Sequence, residues 1–180
     1  HFSARYRRGG LVAAAGYAER SKHVPTGEWG MLYNDKAALL LDARFLVDLA
    51  YERPLAPDAR LRAHLSYDRY RYNGDYPYDY ADEGEPLRRV VSYDTADGRW
   101  LAGDVQLGGT WRGRHQLIAG GDYRKALRAR QKVWDPYAVS LDIDERVDNL
   151  GLYAQDELAL GRTLSLTAGL RVDHYSSFGA

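Results

Sequence analysis

The segment YAQDELALGRTLSLTAGLRVDHY (Tyr153–Tyr175) has the outline of a strand, a tight turn and a second strand. In its second half Leu164, Leu166, Ala168, Leu170 and Val172 fall on one side of an extended chain. Ser165, Thr167, Gly169, Arg171 and Asp173 fall on the other. Successive side chains of a strand point to opposite faces, so this strand has an oily side and a wet side. Two architectures use such strands: a soluble sheet over a core, and a transmembrane barrel with lipid outside and a polar lumen inside.

The rest of the chain favours the barrel. It carries 15 Tyr and 4 Trp against 3 Phe, with a mean hydropathy of −0.54. Rings with a polar tip suit a membrane–water boundary better than a dry core. Lys and Arg (25) balance Asp and Glu (25), so bulk charge gives no argument for a nucleic-acid partner. The absence of Cys excludes disulfides and thiolate metal sites. No apolar run approaches the roughly 18 residues of a helical span. The chain opens at His1 rather than Met and closes just after a strand pattern, which reads as a piece of a longer protein.

Turn residues set the expected topology. About eight strands are predicted, at 1–8, 10–22, 42–54, 59–73, 99–112, 115–132, 148–160 and 163–176, long against the usual roughly 5–6 residues. Gly9-Gly10, Pro54–Asp58, Gly113-Arg114 and Gly161-Arg162 make tight turns, while 23–41, 74–98 and 133–147 make long connections. Short turns at one end and long loops at the other are the layout of an outer-membrane barrel. Three strands alternate well: Phe45, Val47, Leu49 and Tyr51 oppose Arg44, Asp48 and Glu52; Leu61, Ala63, Leu65 and Tyr67 oppose Arg62, His64, Ser66 and Asp68; Leu101, Val105, Leu107 and Trp111 oppose Asp104, Gln106 and Thr110. The first two strands are blurred by Ala and Gly. In 148–160, Asp156 interrupts the apolar set Leu150, Leu152, Leu158 and Leu160, and a bulge or a place near the rim would accommodate it.

These residues resemble a known family. Tyr153, Gln155-Asp156, a short turn, then Gly169, Arg171, Asp173 and Tyr175 resemble the strand–turn–strand signature of TonB-dependent outer-membrane receptors. HQLIAGGDYRK (His115–Lys125) is similar to the family's His-x-Leu-x-x-Gly-x-x-Tyr strand. ERSKHVPTGEWGMLYND (Glu19–Asp35) and SYDRYRYNGDYPY (Ser66–Tyr78) are similar to its mid-barrel region. The resemblance implies an all-β fold: residues 1–180 form part of an antiparallel up-and-down transmembrane barrel of about 22 strands, with the plug domain and C-terminal strands not included. It implies a receptor of the Gram-negative outer membrane, taking up a ferric siderophore or another scarce nutrient such as cobalamin. The TonB complex would supply energy through the absent plug, and lipid and lipopolysaccharide would surround the wall. It implies no enzyme and no cofactor.

Within that frame the sharpest local feature lies in 112–132, where Arg112, Arg114, Arg124, Lys125, Arg128, Arg130 and Lys132 meet one acid, Asp122. Arg124, Arg128, Arg130 and Lys132 have the parity opposite to Leu117, Ala119 and Tyr123. They are expected to line the lumen as an electropositive ladder for an anionic chelate, or to pair with acids on neighbouring strands. The segment 74–98 is acidic, and its Tyr76, Tyr78 and Tyr80 are candidate ligand surfaces on an external loop. Asp142, Asp144 and Glu145 could hold calcium, although their spacing matches no loop motif. Tyr67, Trp111 and Tyr123 are expected in the membrane-interface girdle, with Arg69 and Arg71 above them at the height of lipopolysaccharide phosphates.

Enzyme readings are weak. The five His show no ligand spacing. His64 and Ser66 share a face, as a lipase would need, but no third member is evident. GGTWRG and AGGDY lie inside strands, so neither is a phosphate-binding loop. The rival binding readings are a passive porin-like channel and a soluble or cell-surface β-sandwich whose apolar faces would meet each other.

Overall fold

Strands run where side chains alternate and stop where Gly, Pro and Asp gather. The computed structural model describes residues 1–177. Among these described residues nine strands form: β1 (Phe2–Arg8), β2 (Leu11–His23), β3 (Leu39–Ala56), β4 (Ala59–Asp79), β5 (Arg89–Trp111), β6 (His115–Trp134), β7 (Val139–Asp144), β8 (Asn149–Ala159) and β9 (Ser165–Tyr175). They make one antiparallel sheet in the order β1-β2-β3-β4-β5-β6-β8-β9, with β7 folded back on the far half of β6. Every neighbour in the sheet is a neighbour in sequence apart from the β7 excursion, so the up-and-down topology follows from the turns. Gly9 and Gly113 occupy turn positions with φ of 56° and 65°, where a Cβ would be strained.

The eight expected strands are all present, and their long-loop ends differ. β4 and β5 pair in unbroken register out to Asp79↔Arg89, so most of 74–98 is strand and only residues 80–88 connect. Tyr70, Tyr72, Tyr76 and Tyr78 continue the alternation there, a pattern masked by charges on the opposite parity. The connection 133–147 likewise contains β7, whose Val139, Leu141 and Ile143 alternate with polar residues. Its entry turn is held by Asp135, whose Oδ1 accepts from the amides of Tyr137 (2.7 Å) and Ala138 (2.8 Å).

Register assigns the faces. Leu49↔Leu65↔Gly103↔Tyr123↔Leu150 form one row, and Tyr51↔Ala63↔Val105↔Gly121↔Leu152↔Val172 the next. This apolar face is bare: Val105 is 52% exposed, Leu152 58% and Leu170 73%. Among the described residues no second layer packs on it, which removes the β-sandwich, whose apolar faces would meet. On β5 the apolar face runs from Leu101 to Trp111, a length that suits the roughly 9–11 residues of a tilted strand crossing a bilayer. A contiguous exposed apolar band of this height is the outer surface of a membrane barrel. Asp156 does fall on it, in the row Gly109↔Leu117↔Asp156↔Ala168 beside the short turns. There His115 Nδ1 lies 2.6 Å from its carboxylate. It sits at the rim, without a bulge.

A bulge does occur on β6. Trp100 pairs with Ala126 and Arg99 with Arg128, leaving Leu127 as the extra residue. Beyond it every β6 side chain changes face.

Among the described residues the one substantially buried cluster lies in the first long connection. Val24, Met31 and Ala38 pack with Leu40, Tyr76 and Tyr78 on the opposite, inner face, pinned by Leu32 N donating to Pro77 O (2.8 Å).

Candidate functional site

The inner face is a polar wall whose groups satisfy one another across strands. In its lower half, Gln106, Gly120, Tyr153 and Arg171 form one row. The hydroxyl end of Tyr153 covers Gly120, and the hydroxyl accepts from Gln106 Nε2 (3.3 Å). Arg171 stacks 5.8 Å from that ring, bridges Asp122 (2.8 Å) and Asp173 (2.6 Å), and occupies the space left by Gly151. The signature residues of the last hairpin are thus interlocked parts of the wall. His64 is held between Asp48 (2.5 Å) and Asp104 (3.1 Å). Its ring nitrogens are both taken by carboxylates, and Ser66 has no role in that contact, so no lipase constellation is present there.

The upper half is where a solute could be held. Arg44, Ser66, Asp68, Tyr70, Trp100 and Arg124 line a concavity of about 500 Å³. Arg124 lies over the Trp100 ring at 5.3 Å. Arg44 is hydrogen-bonded to Asp68, and Tyr70 donates to Asp42 (2.7 Å), which also binds Arg20 (3.1 Å). A flat indole and a phenol beside the Arg124 guanidinium, with Arg44 already paired to Asp68, can hold an anionic, ring-bearing ligand by charge and stacking together. Arg124 was legible in the sequence. Arg44, Tyr70 and Trp100 were not singled out, although each has lumen parity on its strand.

The other expected ladder residues are not in the lumen. The Leu127 bulge turns Arg128, Arg130 and Lys132 to the outer face, opposite Arg99, Asp97 and Thr95. The parity argument failed because it carried one alternation across an inserted residue. Tyr76, Tyr78 and Tyr80 are not on an open loop. Tyr76 meets Trp29 edge-on (5.9 Å), Tyr78 meets Tyr80 (6.5 Å), and Tyr80 stacks on Tyr137 (6.3 Å) while donating to Asp135 (2.8 Å). These contacts join the three long connections. Asp142 and Asp144, candidates for a calcium site, pair with Arg130 (3.0 Å) and Arg146 (3.1 Å). On the outer face Tyr67 and Trp111 stand at the two ends of the apolar band, and Tyr123 lies one row inside its upper edge.

Asp35 and Arg89 add a charged clasp between the first connection and β5, at 2.6 and 2.9 Å. The Arg89 guanidinium, with the Ala37 amide, holds the Asp35 carboxyl at about 2, well under the usual carboxylate value of about 3.9. A depressed folded pKa means the clasp contributes fully above about pH 4 and is lost as pH falls through about 2. Trp29 emission in the whole protein should therefore stay flat from neutral pH down to about 4 and change below it. Asp35→Asn should remove that transition, and an identical titration in the variant would show that the clasp does not hold the connection.

Comparison with known proteins agrees with this architecture. No curated protein matches the chain in sequence. Among solved structures, P. aeruginosa FpvA, determined bound to an iron–pyoverdine complex, aligns with a TM-score of 0.69 at 17% identity. The alignment covers 95% of this chain and 29% of that one, so the chain spans under a third of that protein. The family described as TonB dependent receptor-like, beta-barrel matches residues 1–180. With its up-and-down sheet, bare apolar band and polar inner wall, the chain belongs to the TonB-dependent receptor β-barrel family.

Proposed function

We propose that the protein is an outer-membrane receptor that takes up a ferric siderophore or a comparably bulky scarce nutrient such as cobalamin. TonB would supply the energy through a plug domain, and outer-membrane lipid would surround the wall. The observation that carries the reading is the inner concavity of Arg44, Tyr70, Trp100 and Arg124 on a wall whose outer side is bare apolar surface. FpvA, the structural neighbour, was solved with a siderophore–iron complex, which favours a chelate over cobalamin. A passive channel has the same strand pattern and is the reading to be excluded.

The test uses the intact gene in its host. Its deletion should abolish growth on the host's own iron-loaded siderophore fraction, and deletion of tonB should do the same. Uptake that survives loss of TonB would point to passive passage. Trp100→Ala combined with Arg124→Ala should lower uptake about tenfold at unchanged outer-membrane abundance, since a ligand stacked on the indole and paired with the guanidinium would lose about 1.4 kcal/mol with them.

A further inference from the structure

Two phenols meet on the inner wall, above the height of the apolar band. Tyr72 and Tyr76 flank Gly74 on β4, and their hydroxyls are hydrogen-bonded to each other across it. A Cβ at Gly74 would stand 2.5 Å from the Tyr72 hydroxyl oxygen and 2.9 Å from that of Tyr76. The glycine is what lets two side chains of one strand converge on a single point instead of standing side by side. Register places acids beside that point. Gly74 pairs with Asp94 on β5, and Tyr72 pairs with Asp42 on β3. Cross-strand neighbours on one face stand about 5 Å apart, so two phenol oxygens and the Asp94 carboxylate border one small space.

The groups around this space leave it short of positive charge. Arg20 is drawn to Asp42, which also accepts from Tyr70. Asp94 is held by a neutral amide, since both of its oxygens lie 3.2 Å from Gln131 Nε2. The amide aims the carboxylate without cancelling its charge. Burial, the hydrogen bond to Tyr76 and the charges of Asp94 and Asp42 together push the Tyr72 phenol above its usual value. A phenolate is therefore costly here on its own, and a compact cation of high charge would offset that cost. Phenolate and carboxylate are hard, anionic oxygen donors that suit a hard ion. Ligands must shed their protons to bind a metal, and among common ions a trivalent one displaces phenol protons where magnesium or calcium would not.

We propose that Tyr72, Tyr76 and Asp94 form a site for ferric ion itself, bound without a chelate around it. Each phenol releases its proton to water and turns an oxygen lone pair to the metal. Asp94 supplies a carboxylate oxygen, water fills the remaining positions, and the iron stays ferric throughout. Gln131 is a positioning residue that holds Asp94 toward the pair. The assignment goes beyond the uptake of a chelate and needs only the inner wall of β4 and β5.

The whole receptor, purified in detergent and freed of iron, would be titrated with ferric nitrilotriacetate and followed in the visible range. A phenolate-to-iron charge-transfer band should grow until a single ferric ion is bound per receptor, with phenolate ring modes in the resonance Raman spectrum. Tyr72→Phe combined with Tyr76→Phe keeps both rings in place over Gly74 and should abolish the band. Gln131→Leu should keep the band and weaken binding roughly 10–100-fold, the usual cost of losing a group that orients a metal ligand. This second variant leaves both phenols untouched and serves if the first disturbs folding. A wild type without the band, a band that survives in the double phenylalanine variant, or undiminished affinity in Gln131→Leu would overturn the proposal. Chelate uptake is read separately, from growth of the deletion strain, so either reading can fail without the other.

Discussion

Val105→Arg should destabilise the folded barrel by about 2–4 kcal/mol, the cost of a cation near the middle of the lipid face. Val105 stands near the midpoint of the Leu101–Trp111 stretch and is half exposed with no protein partner on that side. Its neighbour Gln106 points inward and bonds Tyr153. Gln106→Arg should therefore cost about 1 kcal/mol or less, the worth of one partly exposed hydrogen bond. Urea unfolding of the whole receptor in lipid vesicles, followed by heat-modifiable mobility, measures both. Similar costs for the two neighbouring positions would mean that the sheet does not separate lipid from lumen as its register indicates.

Gly120→Ala should be a damaging small substitution on the inner face of the wall, at about 2–3 kcal/mol. A Cβ there would stand 2.6 Å from the Tyr153 hydroxyl and 2.6 Å from the Val105 carbonyl oxygen. The carbonyl is backbone in the sheet and cannot retreat, so the strand shifts or Tyr153 lifts away from Gln106 and Arg171. Overpacking of this kind costs about 1–3 kcal/mol, and the lost hydrogen bond adds about 1. Combining Gly120→Ala with Tyr153→Ala should cost less than the sum of the two single changes, because half the collision has gone. Strict additivity would show that the ring is not what the glycine accommodates.

Much of this architecture can be read from the chain, for physical reasons. Alternation such as Leu164–Asp173 is an unambiguous report of two environments, and the Gly and Pro turns fix which ends are short. The upper parts of β4 and β5 were hidden because above the lipid band both faces meet water. Arg69, Arg71 and Asp75 are then as acceptable as Tyr70 and Tyr72, and polarity no longer separates the faces. β7 was hidden by its length and by the acids between its apolar residues. For the site, the inward parity of Arg124 was legible, and its pairing with Trp100 was not, since cross-strand contacts depend on register. The misplacement of Arg128, Arg130 and Lys132 has a single cause at Leu127, where no Gly or Pro advertises the bulge.

That extra residue behaves like a frameshift in three dimensions. Deleting one codon at Leu127 would leave Ala126 opposite Trp100 and Arg128 opposite Arg99, so the pairing would become regular and the cations would keep their face. A slip in pairing that set Leu127 opposite Arg99 would instead turn Ala129 and Gln131 outward and bring Arg128, Arg130 and Lys132 to the lumen side. No substitution is needed to move this charge from one surface of the wall to the other. One residue's slip in pairing thus decides whether this charge meets the outside of the wall or the solute, with the amino-acid composition unchanged.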